Sequence, residues 1–70
     1  MKNIGQIIRE IRQLKRKSQN EVAFEMEMSQ AAYSKIERGK TEIKASQLYK
    51  LADILHVSIH DLLPPDRSLI

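Results

Sequence analysis

The sequence predicts an all-α fold, five short helices packed as one small domain. Three observations lead there. Apolar residues recur at three- and four-residue spacing in successive segments. Ser18 with Glu21 and Ser58 with Asp61 have the form of capping boxes. Two glycines and 4% aromatic residues are too few for a small β-barrel built on tight turns. Seventy residues make one domain at most, and a core of that size supplies only a few kcal/mol of net stability, so a partner or a second copy is in keeping with the length.

The elements follow in order. Ile4, Ile7, Ile8, Ile11 and Leu14 fall on one face of a first helix, and Lys15 to Lys17 suit the negative pole of its macrodipole. Ser18 and Glu21 then start a second helix, which carries Val22, Ala23 and Met26 inward. It is short, because Ser29 is already the next good cap and Met28 reads as a buried link. A third helix runs from Gln30 to about Arg38, ended by Gly39, which enters the left-handed conformation without steric cost. After a loop at residues 40–43, Leu48, Leu51, Ala52 and Leu55 mark a fourth helix whose start is weakly signalled, Lys44 being a poor cap. Ser58 and Asp61, with Val57 placed to meet Leu62, open a fifth helix to Leu63, and Pro64 and Pro65 end it. Residues 1–65 are thus expected to form the domain and 66–70 a short tail. There are no repeats and no linker.

Composition removes several classes of function. Without cysteine there is neither a disulfide framework nor a thiolate zinc site. No apolar run approaches the roughly 18 residues that span a bilayer, and charges interrupt the amino-terminal segment too early for a signal peptide, so a cytoplasmic location is expected. His56 and His60 are four apart, but Ser58 starts a new helix between them and nothing completes a ligand set, so no metal site is expected. No nucleophilic triad, glycine-rich phosphate loop or carboxylate pair emerges, which leaves no catalytic residue and no cofactor to assign. The net charge of +3 is modest, yet it is gathered in two blocks. Residues 9–17 hold Arg9, Arg12, Lys15, Arg16 and Lys17 against Glu10. Residues 35–44 hold Lys35, Arg38, Lys40 and Lys44 against Glu37 and Glu42. Such blocks are either solvated faces or a surface for a polyanion.

The second and third helices bear on the choice. Two helices of about two turns each, joined by three or four residues, form a helix-turn-helix unit. Val22, Ala23, Met26, Met28, Tyr33 and Ile36 lie inside it. The outer side of the third helix offers Gln30, Ala31, Ser34, Lys35 and Arg38, without a single carboxylate. Gln19, Ala23, Gln30 and the run Glu37 to Lys40 stand where the Cro and lambda-repressor-like (XRE-type) helix-turn-helix family has its two glutamines, its alanine and its closing "ERGK". The chain resembles that family from residue 4 to about 63. The resemblance implies that the third helix enters the major groove of DNA and that Arg12 pairs with Glu37 in a partly buried ion pair. The family usually has glycine where this chain has Glu27. Either Glu27 takes a left-handed conformation at about 1 kcal/mol or the turn is reshaped. It also commonly has proline at the position of Ile43, which leaves the loop before the fourth helix undetermined.

A duplex major groove presents acceptors, amino donors and the thymine methyl. Gln30 is the candidate for adenine, Ala31 for a thymine methyl, Ser34 for an adaptable donor or acceptor, and Lys35 for a guanine edge or a phosphate. Gln19, on the first turn of its helix, is placed to bind a backbone oxygen and to brace Gln30. Arg38, Lys40, Thr41 and Lys44 are candidates for phosphate, as is Arg12 with whatever donors Glu37 leaves it. Arg9 and Arg16 are equally consistent with solvent and with phosphate. The expected function is a sequence-specific, double-stranded DNA-binding regulator, a repressor acting as a homodimer through the fifth helix and the face near Ile54 and Val57. The alternative is an antitoxin that caps a protein toxin and binds its own promoter. Phe24, which the helical period turns outward, or the tail ending in Leu69 and Ile70 would be the surface for such a partner.

Overall fold

Asn3 opens the first helix by the device that Ser18 supplies at the second. In the computed structural model, which describes residues 3–64, Asn3 Oδ1 accepts from the Gln6 N–H at 2.9 Å and Gln6 Oε1 accepts from the Asn3 N–H at 3.1 Å. This reciprocal pair satisfies two of the orphan donors of α1, Ile4–Leu14. Ser18 and Glu21 make the same exchange, at 3.0 and 2.7 Å, ahead of α2, Gln19–Glu25. Ser29 Oγ accepts from the Ala32 N–H at 3.0 Å and starts α3, Gln30–Glu37. Lys44 has no side-chain acceptor to offer α4, Ala45–Leu55. There Gln47 reaches back to the Lys44 N–H at 2.9 Å.

The fifth helix is not an α-helix. Ile59–Leu62 form one 3₁₀ turn, with Asp61 Oδ2 accepting from the Ser58 N–H at 3.1 Å. Asp61 N donates to Ser58 O at 3.0 Å and Leu63 N to His60 O at 3.2 Å, both i to i−3 bonds. Between the cap and Pro64, which has no N–H, there is too little chain for an i to i−4 ladder. The architecture of the described residues is therefore four α-helices and a 3₁₀ turn, without strands.

All four α-helices end alike. Lys17, Met28, Lys40 and Val57 each donate a backbone N–H to the carbonyl five residues earlier, of Arg12, Ala23, Lys35 and Ala52 respectively. This is the Schellman closure, which needs a left-handed residue just before the donor. Those residues are Arg16, Glu27, Gly39 and His56, with φ of 61°, 61°, 76° and 58°. Glu27 thus takes the left-handed conformation, and the helix-turn-helix turn keeps its geometry without glycine.

The core is built around Ile8, Val22, Tyr33, Leu51, Leu55 and Leu62, all fully buried, with Ala23, Met26, Ile36 and Ala52 between them. Ile43, half-buried, packs against this cluster and anchors the loop before α4. Gly5 sits where a Cβ would collide with the carbonyl oxygens of Ile36 and Glu37, so the start of α1 rests directly on the end of α3. Leu14 departs from the expected stripe. It is 80% exposed, because α1 ends there. Pro65 and the tail, Leu69 and Ile70 included, lie outside the described residues. No helix among the described residues is long and apolar enough to cross a membrane.

Candidate nucleic-acid interface

Tyr33 and Ile36 face the core, so the period of α3 turns its other side out. Gln30, Ala31, Lys35 and Arg38 are exposed there and Ser34 is half-buried. This ridge stands between two grooves. Ala31 and Lys35 border one, with Thr41, Glu42, Lys44 and Gln47 opposite. Ser34 and Arg38 border the other, with Asn3, Gln6, Arg9 and Gln19 opposite. Lys40 is exposed in the loop just past Gly39.

The electrostatics favour an external anion at these grooves. The surface ion pairs of the described residues lie elsewhere, Lys17 with Glu25 at 3.4 Å and Lys50 with Glu27 at 4.0 Å. Arg9, Lys35, Arg38, Lys40 and Lys44 have no carboxylate partner among the described residues.

Beneath the ridge lies a polar relay. Arg12 Nε donates to Glu37 Oε2 at 2.6 Å and Nη2 to Oε1 at 3.2 Å, while Nη1 donates to the Lys17 carbonyl at 2.7 Å. Gln19 Nε2 donates to Glu37 Oε1 at 3.0 Å, and Gln30 Nε2 donates to Gln19 Oε1 at 3.4 Å. One carboxylate thereby links α1, α2 and α3 and reaches the tip of the ridge. Burial alone would raise the Glu37 pKa, but the hydrogen bonds from Arg12, then the nearby Tyr33 hydroxyl and Gln19, hold it below the ordinary carboxylate value. The Glu37 hydrogen bond raises that of Arg12 in turn. The Tyr33 hydroxyl, buried close by, is the one buried side-chain polar atom without a hydrogen bond among the described residues. Burial, then the neighbouring carboxylate, pushes its pKa up.

The structure thus gathers Gln30, Ala31, Ser34 and Lys35 on one ridge, places Gln19, Arg38, Thr41 and Lys44 in its flanking grooves, and joins Arg12 to Glu37. Arg12 is 7% exposed, and each of its three nitrogens donates one hydrogen bond within the protein. Sequence reasoning did not single out Asn3 and Gln6, whose polar side chains three apart ahead of an isoleucine-rich run were a legible cap signal. Nor did it find the bond from Gln19 to Glu37, which spans eighteen residues and has no local signature. His56 ends α4 and His60 lies in the 3₁₀ turn, and no group of three ligating residues forms among the described residues.

Comparison with known proteins agrees with this geometry. The model of a helix-turn-helix family matches residues 8–62. The restriction-modification controller protein C.AhdI from Aeromonas hydrophila is 30% identical, with a TM-score of 0.80 over 86% of this chain and 91% of that one. SinR, the master regulator for biofilm formation, solved in complex with DNA, is 34% identical, with a TM-score of 0.78 over 87% and 98% of the two chains. A chain of the SinR protein–SinI protein complex is 32% identical, with a TM-score of 0.77 over 96% of this chain and 66% of that one. No curated protein matches the sequence.

Proposed function

Since this chain belongs to the XRE-type helix-turn-helix family of DNA-binding transcriptional regulators, we propose that it represses transcription by inserting α3 into the major groove of a double-stranded operator, as a two-fold dimer. The observation that carries this reading is the ridge itself, an exposed helix face free of carboxylates and flanked by cations that have no carboxylate partner among the described residues. The similarity to SinR, solved on DNA, supports it.

Gln30 reads adenine, Ala31 meets a thymine methyl, Ser34 adapts as donor or acceptor, and Lys35 takes a guanine edge or a phosphate. Gln19, Arg38, Lys40, Thr41 and Lys44 hold the sugar-phosphate backbone on either side. Arg12 serves them from beneath, by fixing Glu37 and through it Gln19. Two copies meet through α4 and the 3₁₀ turn, near the half-buried Ile54 and Val57, which sets two reading helices about 34 Å apart. The protein works in the cytoplasm and catalyses nothing. The neighbours favour a regulator over an antitoxin. Phe24, 82% exposed, is the surface where a protein partner would dock.

Selection of bound sequences from a random duplex pool, repeated at two salt concentrations, tests the proposal. A palindromic consensus with half-sites about 10 base pairs apart is expected, with weaker retention at the higher salt. A pool that emerges unenriched would overturn it.

A further inference from the structure

We propose that Lys35 and Glu42 read the two members of one G·C base pair together, Lys35 taking the guanine edge and Glu42 the amino group of its cytosine. The inference rests on the reading of Lys35 as a base contact, and it decides between the guanine edge and the phosphate for that side chain.

Among the described residues, Glu42 is the one carboxylate lining the groove it shares with Lys35, Thr41 and Lys44. Glu42 and Lys35 are both exposed, and neither forms an ion pair among the described residues. Lys40 and Lys44, two residues to either side of Glu42, do not take it either. The loop that carries Glu42 is held at both ends. The Lys40 N–H donates to the Lys35 carbonyl at 2.9 Å, which ties the start of the loop to α3. Ile43 packs against the core, and the Lys44 N–H donates to Gln47 Oε1 at 2.9 Å where α4 begins. Glu42 is thus kept beside the reading helix by contacts in which its own side chain takes no part.

An ionised carboxylate can only accept hydrogen bonds, and a lysine ammonium can only donate them. Phosphate oxygens repel a carboxylate, as do the N7, O6 and O4 acceptors of the major groove. What suits it there is an exocyclic amino group, N4 of cytosine or N6 of adenine. Lys35 has the opposite need, which guanine meets with acceptors at both N7 and O6. In a G·C pair the cytosine amino group lies next to guanine O6, so the two acceptors come first and the donor after them. One pair therefore satisfies a cation and a carboxylate that share a groove. An A·T pair sets its amino group between two acceptors, N7 and O4, and leaves the carboxylate no position clear of them. Reversing the pair to C·G opposes Lys35 to the amino group. Glu42 therefore favours one pair and penalises the others, which sharpens the choice in both directions.

The test begins with selection from the random duplex pool by wild type and by Lys35→Ala. The G·C position that the variant relaxes is the one assigned to Lys35. Affinities of wild type and Glu42→Ala are then measured by fluorescence anisotropy on three duplexes. These are the selected one, the same with A·T at that position, and the same with 2-pyrimidinone for the cytosine, which removes the amino group alone. Wild type should favour the selected duplex over the A·T one by about tenfold and should also weaken on the pyrimidinone duplex. Glu42→Ala should bind the selected and pyrimidinone duplexes alike and should hold the A·T duplex more tightly than wild type does. If Glu42→Ala gains the same factor on all three, Glu42 only repels phosphate and the paired reading is wrong. If it matches wild type on all three, Glu42 is a solvated side chain and the proposal is equally wrong. In both cases the assignment of Lys35 to its base stands. If Lys35→Ala relaxes no G·C position, that assignment fails and the inference fails with it.

Discussion

Glu37 is the residue on which most of this molecule turns. It is 3% exposed and is tied to Arg12 through two bonds. Removing one member of a buried, hydrogen-bonded pair leaves an uncompensated charge, at about 3–5 kcal/mol. Glu37→Ala should lose that much in urea unfolding, a large part of the stability available to a chain this small; a midpoint equal to wild type would count against the pair. The same residue sets a pH dependence. Its pKa is lower in the folded state than in the unfolded chain, so the unfolded state takes up a proton first as pH falls. The contribution is complete above the ordinary carboxylate range and fades as pH drops through it toward the lower folded value. Melting curves from pH 7 to 3 should show wild type losing more stability than Glu37→Gln, which has no proton to gain. Gln30, Gln19 and Glu37 were legible in the sequence as single residues. The brace between Gln19 and Gln30 was expected as well; the bond from Gln19 to Glu37 was not, because a hydrogen bond across eighteen residues depends on how the helices meet.

The elements owe their boundaries to caps, and there the sequence was most informative. Ser18, Ser29 and Gly39 lie where they were expected to, since each acts on its own neighbours. The signal failed at α4, where the cap is a glutamine reaching back to Lys44, and at the last element, where Pro64 left room for only a 3₁₀ turn. The left-handed positions Arg16 and His56 carried no signal either, because any side chain can be forced there by the bond that closes the helix. Each non-glycine at such a position carries strain. Arg16→Gly, Glu27→Gly and His56→Gly should therefore each raise stability by roughly 0.5–1 kcal/mol, net of the glycine's extra unfolded freedom, as read by denaturant midpoints. Gly5→Ala should do the opposite. Its methyl group meets backbone at the end of α3 and α1 must shift, at about 1–3 kcal/mol.

At the scale of the whole molecule, what counts is where the charge lies. The molecule measures 37 × 24 × 20 Å, and Arg9, Lys35, Arg38, Lys40 and Lys44, without carboxylate partners among the described residues, flank one helix of it. The sequence showed two basic blocks but could not say which of their members share a face. In the structure Arg9 lines the same groove as Arg38 and Gln19, whereas Arg16 closes α1 outside both grooves. Binding to duplex DNA across a salt series should separate them. Lys40→Ala and Arg9→Ala should each lower the slope of log affinity against log salt by about one unit, and Arg16→Gly should leave it unchanged. An unchanged slope for Arg9→Ala would return that side chain to solvent.

The most direct measurement is to titrate the isotopically labelled chain with a duplex selected from the random pool, at low ionic strength, and to follow every backbone amide. The shifts should concentrate on residues 30–38, on Gln19 and on the loop at 40–44, and leave the 3₁₀ turn little changed. Shifts centred on any other surface, or none at all, would mean that the outer face of α3 does not read DNA.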